Sequence, residues 1–189
     1  MPILLKDLLN ETLSLESKGQ QDSPQFKKWF KDSKVVDNSG NPLRVYHGTS
    51  KDKDFSKFTS KQNGMWFTSS PEGASRYASE NDSMKTSMDI GAGGKYIFKN
   101  INTASRVIPV YLSIQNPAKL DKDSEYSNKL KHSQNYSKAQ REVFNELKLK
   151  GYDGADFGDG IYVVFNSTQI KSAIGNNGNF DPNSFDISK

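Results

Sequence analysis

One histidine stands where its imidazole could serve a bound ligand. His47 ends a run of strand-forming residues that begins at Leu43, and Gly48 follows it directly. An imidazole can donate, accept and titrate near neutral pH, and a glycine lets a ligand approach the backbone closely. The pattern is equally compatible with a strand-to-loop turn that holds a capped histidine, so both interpretations stay open at this point.

Two aromatic residues flank a predicted turn from a strand into a helix. Trp66 ends the short strand, and Tyr77 lies about two turns into the helix that follows. Two aromatic faces placed side by side can hold a flat, electron-poor ring, and a cationic pyridinium is favoured there. The alternative is that both residues belong to the core.

Three acidic residues precede the most apolar strand of the chain, which spans residues 161–165. They are Asp153, Asp156 and Asp159, of which Asp159 is nearest to the strand and is flanked by glycines. Taken alone, this segment indicates a buried strand, and Asp159 is compatible with an ordinary turn aspartate.

The composition excludes several classes of site. The 189 residues include no cysteine and two histidines, which excludes a disulfide scaffold, a zinc finger, a cysteine nucleophile and any site built from several imidazoles. Aromatic residues reach 11%, although hydrophobic residues make up 33%, so the chain is expected to form a polar, folded domain. The net charge of +4 permits a polyanionic partner without requiring one.

The elements that position these residues are predicted to be short strands with interspersed helices, which indicates an α+β fold. Helices are predicted over residues 2–15, from the cap Ser23 with Pro24 at the first position, from the cap Ser70 with Pro71 at the first position, and over 137–150. Strands are predicted over residues 34–36, 43–46, 65–68, 106–114, 161–165 and 169–173, the first two as a hairpin. Residues 51–61 and 81–101 are predicted to be loops.

One compact domain with an N-terminal arm is expected. Residues 1–22 form a helical arm and a linker, with the linker at residues 19–22, and residues 23–189 form the main domain. The apolar run near the N-terminus is too short and too charged for a signal peptide or a membrane span, so a soluble cytoplasmic protein without a membrane partner is expected.

Three ordered segments resemble the ADP-ribosyltransferase family of the diphtheria-toxin and poly(ADP-ribose)-polymerase type, in particular the domains common in phage and mobile-element proteins. Residues 46–49 look like the first motif of the family. Residues 64–68, followed by 74–77, look like the second, and residues 162–176 look like the closing strand. The resemblance implies a split antiparallel β core flanked by helices.

The resemblance also implies a co-substrate, NAD, and a role for each matching residue. His47 would bond a ribose hydroxyl, and Gly48 would bond the nicotinamide carboxamide through its backbone. Thr49 would support the adenosine side. Trp66 and Tyr77 would enclose the nicotinamide ring. No metal is implied.

The chain departs from the family at Ile161. Members usually carry a glutamate immediately before the closing strand, which stabilises the oxocarbenium-like transition state, and isoleucine cannot do this. The catalytic candidates are therefore His47, Tyr77 and, as a substitute acid, Asp159. The expected function is mono-ADP-ribosyl transfer from NAD to a protein side chain or a nucleic-acid base, in a toxin, effector or phage–host conflict role.

Two further expectations accompany this function. An inhibitor or antitoxin protein is a possible partner. The alternative function is an inactive module of the same fold that binds NAD or nucleic acid.

Overall fold

The computed structural model describes residues 19–49, 56–59, 64–83, 87–90, 96–99, 106–121 and 124–189. Its helices are α1 (Pro24–Phe30), α2 (Pro71–Ser83), α3 (Glu125–Lys131) and α4 (Tyr136–Leu149). Its strands are β1 (Val45–Thr49), β2 (Met65–Thr68), β3 (Ser87–Ile90), β4 (Tyr96–Lys99), β5 (Arg106–Leu112), β6 (Pro117–Lys119), β7 (Gly154–Asp156), β8 (Ile161–Val164) and β9 (Ile170–Ser172). A 3₁₀ turn, Ser167–Gln169, precedes β9.

Seven of the strands form one sheet in the order β6-β7-β8-β2-β1-β5-β9. All neighbouring strands in it are antiparallel except β6 and β7, which are parallel. Strands β3 and β4 form a separate antiparallel ribbon. The predicted α+β class is confirmed.

The sheet is split between β1 and β2. These two strands are paired at one position, Tyr46 with Thr68, whereas β1 is paired with β5 along its whole length and β2 with β8 along its whole length. One half of the sheet therefore contains β6, β7, β8 and β2, and the other contains β1, β5 and β9. This arrangement is the split antiparallel core that the sequence resemblance implied.

Successive side chains along each strand point to opposite faces of the sheet, and the two faces pack against different parts of the chain. Residues of both halves, among them Val45, Phe67, Val110 and Val164, share one buried apolar cluster on the first face. On the second face, Val163 packs in a cluster with residues of α4. At the far edge of this face, Tyr111 packs with α1, and α2 lies against β1, β2 and β5. The helices therefore cover one face of the sheet and leave the shared core on the other.

Two predicted helix starts are confirmed. The side chain of Ser23 accepts a hydrogen bond from the amide of Phe26 at 3.1 Å, and Pro24 is the first residue of α1. The side chain of Ser70 accepts from the amide of Gly73 at 3.0 Å, and Pro71 begins α2. In both cases the cap satisfies an amide that has no partner within the helix.

Three local predictions are wrong. Residues 81–101 contain the end of α2 and the β3–β4 ribbon rather than a loop alone. Residues 19–22 are helical rather than a linker, and the Gln21 amide donates to the Tyr111 hydroxyl at 2.7 Å, which ties this turn to β5. The predicted hairpin is present, but its strands are wrong in length: one antiparallel bridge, Val36 with Pro42, is flanked by backbone hydrogen bonds from the Leu43 amide to the Val35 carbonyl (3.0 Å) and from the Asp37 amide to the Asn41 carbonyl (2.8 Å).

Some predictions fall outside the described residues. The helix expected over residues 2–15 does so entirely, and the loop at 51–61 does so except for residues 56–59. Within the described segments, no helix is both long enough and apolar enough to cross a membrane.

Candidate active site

The backbone of Gly48 points toward the split in the sheet. Tyr46 lies opposite Pro109 of β5, and because proline has no amide hydrogen the two residues cannot exchange a pair of hydrogen bonds. The backbone N–H and C=O of Tyr46 therefore point away from β5 and toward β2, where Tyr46 is paired with Thr68. Gly48, two residues further along the same strand, directs its N–H and C=O the same way. These two groups lie where the regular pairing of β1 with β2 has ended.

The lack of a side chain at Gly48 is required by the helix above it. A Cβ built there would lie 1.9 Å from the carbonyl oxygen of Ala74 and 3.1 Å from the amide nitrogen of Ala78. Both atoms belong to the backbone of α2, so no side-chain rotation could relieve the contact. Glycine at this position therefore sets how closely α2 approaches β1.

His47 faces the opposite side of the sheet from Gly48. Its ring packs edge-on against Phe58, with centroids 5.0 Å apart, and lies 5.5 Å from the ring of Phe67. Its Nδ1 lies 2.9 Å from the carbonyl oxygen of Trp66, and since a carbonyl can only accept, Nδ1 carries the hydrogen in this contact. In the neutral ring, Nε2 is then the acceptor. His47 therefore helps to join β1 to β2. The same contact fixes the tautomer of the neutral ring, with the hydrogen on Nδ1.

Trp66 and Tyr77 belong to the helix-covered side of the sheet, but their surroundings differ. The Trp66 ring is half-buried and lies 4.8 Å from the Phe157 ring and 6.1 Å from the Phe144 ring. Tyr77, on α2, is 57% exposed. That exposure argues against a core role for Tyr77 and leaves its ring accessible to a ligand. Part of the Trp66 ring therefore packs against neighbouring aromatic side chains and has a structural role.

The three candidate acids differ in the contacts that their carboxylates make. The two carboxylate oxygens of Asp153 accept from the amides of Gln115 and Asn116 at 2.7 and 2.8 Å, which anchors a loop. The Asp156 carboxylate is paired with Lys119. Within the described part of the chain, the carboxylate of Asp159 has neither a hydrogen bond nor an ion pair, and the residue is exposed.

Asp159 lies in a turn that packs against the start of α2. It has a φ of 51° between Gly158 and Gly160, whose φ values are 77° and 74°. Aspartate adopts this left-handed conformation more readily than most residues. The carbonyl of Gly160 accepts from the amide of Ser69 at 2.8 Å, and a Cβ on Gly160 would lie 1.9 Å from the Ser69 hydroxyl oxygen. The turn is therefore held against the segment that connects β2 to α2.

Ile161 begins β8 directly after this turn. It is 38% exposed and lies opposite Thr68, so its side chain is on the helix-covered face. Thr49, at the other end of the candidate set, is the last residue of β1, opposite Arg106, and its side chain is almost buried. Among the described residues, no group of three or more acidic, histidine or cysteine side chains could hold a metal ion.

Ser69 and Ala74 are positioning residues that the sequence reasoning did not identify. Ser69 anchors the 158–160 turn, and the carbonyl of Ala74 fixes the distance between α2 and β1. No sequence signal indicated the role of either, although Ala74 lies in the 74–77 segment that resembles the family motif.

Comparison with known proteins identifies the family. A family model that describes ADP-ribosyltransferases in polyvalent proteins matches residues 37–180. No curated protein and no solved structure matches the chain. The matched segment covers most of the chain and includes His47, Gly48, Trp66, Tyr77 and Asp159. The chain therefore belongs to the ADP-ribosyltransferases of polyvalent proteins, transferases of ADP-ribose that use NAD as co-substrate.

Proposed function

We propose that the chain is a mono-ADP-ribosyltransferase that moves one ADP-ribose unit from NAD to a macromolecular acceptor. The bond between the nicotinamide nitrogen and C1 of the ribose breaks, and its electron pair leaves with neutral nicotinamide. An acceptor nucleophile then attacks C1 and loses its proton, so that one ADP-ribose is attached for each NAD consumed. A dissociative step of this kind develops positive charge on the ribose, as glycoside hydrolysis does.

The observation that carries the proposal is the position of the Gly48 backbone, which faces the split in the sheet beneath α2. A donor and an acceptor on one residue match the two hydrogen-bonding groups of a carboxamide. The exposed ring of Tyr77 on the same helix supplies a stacking face, and a cationic ring is favoured on it. The half-buried ring of Trp66 would form the second face.

His47 and Thr49 would contact the rest of the dinucleotide. The Nδ1 contact to Trp66 fixes the ring, and Nε2 of the neutral imidazole can accept a hydrogen bond from a ribose hydroxyl. Thr49 follows Gly48 at the end of β1, where it would support the adenosine side.

Asp159 is the acid that we assign to stabilising the charged ribose. Ile161 offers no carboxylate at the position where the resemblance leads one to expect a glutamate. Asp153 and Asp156 are engaged in structural contacts, whereas the exposed carboxylate of Asp159 lies two residues from Ile161. Removing one group that stabilises a transition-state charge costs about 10²–10³ in rate, so this assignment has a measurable consequence.

The acceptor is a protein side chain or a nucleic-acid base. The lack of a glutamate at Ile161 supports addition of single units, because extension of a chain requires a group that activates a hydroxyl of the ADP-ribose already attached. A toxin, effector or phage–host conflict role accompanies the proposal, with an inhibitor or antitoxin protein as the expected partner and the cytoplasm of the producing or target cell as the place of action.

A second candidate function rests on Ile161. If the missing carboxylate is not replaced, the fold would bind NAD or nucleic acid without transferring ADP-ribose. The two functions separate in one experiment, in which the full chain is incubated with NAD labelled in its adenylate phosphate and with cell lysate.

Incorporation of label into macromolecules, together with release of nicotinamide, is the result expected of the transferase. Parallel samples treated with protease or nuclease identify the acceptor class. Binding of NAD with neither incorporation nor nicotinamide release would establish the inactive module instead. Ladders of polymer would contradict single-unit transfer.

A further inference from the structure

A groove separate from the candidate active site lies between α1, the segment after β5 and the turn after β8. Its volume is about 490 Å³, which lies within the range of small-molecule sites. It is lined by residues that include Trp29, Lys31, Gln115, Lys148 and Phe165. Of the candidate acids, Asp153 lines it, whereas His47, Gly48, Thr49, Trp66, Tyr77 and Asp159 do not.

The amide side chains around the groove hold its walls together. The Gln115 amide donates to the carbonyl of Phe30 at 2.9 Å and accepts from the amide of Asp32 at 3.0 Å, which joins α1 to the segment after β5. The Gln169 amide donates to the carbonyls of Ser113 and Asp153, each at 3.0 Å. The groove is thus preorganised by bonds that a ligand does not have to supply.

The acidic side chain in the lining is already engaged. Both oxygens of Asp153 accept backbone amides, from Gln115 and Asn116. The charges that remain for a ligand come from the two lysines of the lining, Lys31 and Lys148.

Lys148 differs from Lys138 of α4 and from Lys150, which follows the helix. Lys150 pairs with Glu146 at 2.9 Å, and Lys138 lies 4.0 Å from Glu142. In the described segments, Lys148 has no carboxylate partner, and its ammonium lies over the Phe165 ring, 5.2 Å from the centroid. Burial lowers the pKa of Lys148, which means that its charge has lost water without gaining a counter-ion.

Lys31 supplies the second cation. It ends α1 with a φ of 51°, and its amide donates to the carbonyl of Lys27. In the part of the chain that the structure describes, its side chain has no ion pair. The lining of the groove therefore includes one exposed and one partly desolvated cation.

We propose that this groove binds a phosphate-bearing ligand between Lys31 and Lys148. Phosphate is favoured over a carboxylate because a phosphate monoester carries up to two negative charges and three acceptor oxygens, which two separate ammonium groups can share. A carboxylate is best matched by the planar fork of an arginine, and no arginine lines the groove. The phosphate can belong to a free nucleotide or to the backbone of a nucleic acid, since both present the same group.

The test is a titration of the ¹⁵N-labelled full chain followed by amide chemical shifts. The probes are inorganic phosphate, uridine monophosphate and a short oligouridylate. We expect phosphate to shift the amides of Gln115, Asn116, Asn166 and Thr168. Loss of one charged contact in Lys148→Gln or Lys31→Gln should weaken binding about tenfold. Lys148→Arg should retain it, and Lys138→Gln, on the same helix but outside the groove, should bind as the wild type does.

The three probes distinguish the two sources of phosphate. Tighter binding of the oligonucleotide than of the mononucleotide would identify a nucleic-acid backbone, and equal binding would identify a free nucleotide. Shifts confined to Gly48 and Ala74 would place the phosphate at the candidate active site and overturn the proposal. The absence of shifts at the groove, equal affinity in Lys148→Gln, or binding there of a glutamate-rich peptide in preference to every phosphate probe would also overturn it.

Discussion

Replacing Gly48 with alanine tests the packing on which the candidate site depends. The added Cβ would lie 1.9 Å from the Ala74 carbonyl oxygen, a separation that non-bonded atoms do not adopt, and 2.8 Å from the carbonyl carbon. Because these atoms are helix backbone, α2 must move away from β1. Overpacking that shifts backbone costs about 1–3 kcal/mol of unfolding free energy.

The expected change in melting temperature follows from this cost. For a chain of this size, 1 kcal/mol corresponds to about 2–4 °C, so Gly48→Ala should lower Tm by roughly 2–12 °C. It should also weaken NAD binding, because Tyr77 lies on the displaced helix. Circular dichroism measures the first effect, and calorimetric titration with NAD measures the second.

Gly73→Ala, which changes a glycine of α2 itself, is the matched control. Its added Cβ would lie 3.4 Å from the Ser70 Cβ, an ordinary contact, and alanine is favoured over glycine within helices by about 0.5–1 kcal/mol. Its Tm should equal or slightly exceed that of the wild type. A Gly48→Ala protein that melts with the wild type, or a Gly73→Ala protein that melts below Gly48→Ala, would refute the reasoning.

Three more outcomes are expected. Tyr77→Ala should weaken NAD binding several-fold at an unchanged Tm, since one aromatic face is worth about 0.5–1.5 kcal/mol, while Tyr136→Ala, at a tyrosine that is 52% exposed, should bind NAD normally. Asp159→Asn should keep the turn, because asparagine also tolerates a positive φ, yet lower the transfer rate about 10²-fold or more in a single-turnover assay; an unchanged rate would remove Asp159 from the mechanism. Hydrogen bonds from the Ser188 hydroxyl and amide lower the pKa of Asp186, so the stability that this carboxylate contributes is present above its unfolded pKa of 3.8 and is lost as the pH falls through the folded pKa. In urea unfolding, Asp186→Asn should therefore lose less unfolding free energy between pH 5 and pH 3 than the wild type does. An identical loss of unfolding free energy in the two proteins would contradict this.

The elements with strong local signals could be predicted from the sequence. The β-branched run of β8, with the glycines before it, and the Ser-Pro starts of α1 and α2 carry their structure in adjacent residues. The ribbon of β3 and β4 was not predicted, because its strands have four residues each and stand among glycine, serine and lysine. The three-residue strands β6 and β7 exist through pairing with distant neighbours, which no local pattern records.

The candidate site, too, could be predicted only in part from the sequence. Resemblance selected His47, Gly48, Trp66 and Tyr77 as residue types in order, but it could not give the face that each occupies. His47 lies against Phe58 on the core side, a contact between segments whose approach depends on the whole sheet. The phosphate groove was not predicted at all, because its walls come from several segments that are distant in sequence.

The single pairing of Tyr46 with Thr68 makes the width of the split a property of the core. Besides this pair, the His47–Trp66 hydrogen bond and the packing of α2, the two halves of the sheet are joined by the side chains of the shared apolar cluster, including Met65, Phe67 and Val110. Those side chains act as spacers, so their volumes set the angle at which the halves meet. A conservative change in the core can therefore widen or narrow the opening beside Gly48 without altering any residue that faces it. In evolutionary terms, the shape of this opening can drift through substitutions at core positions outside the motifs, such as Val110.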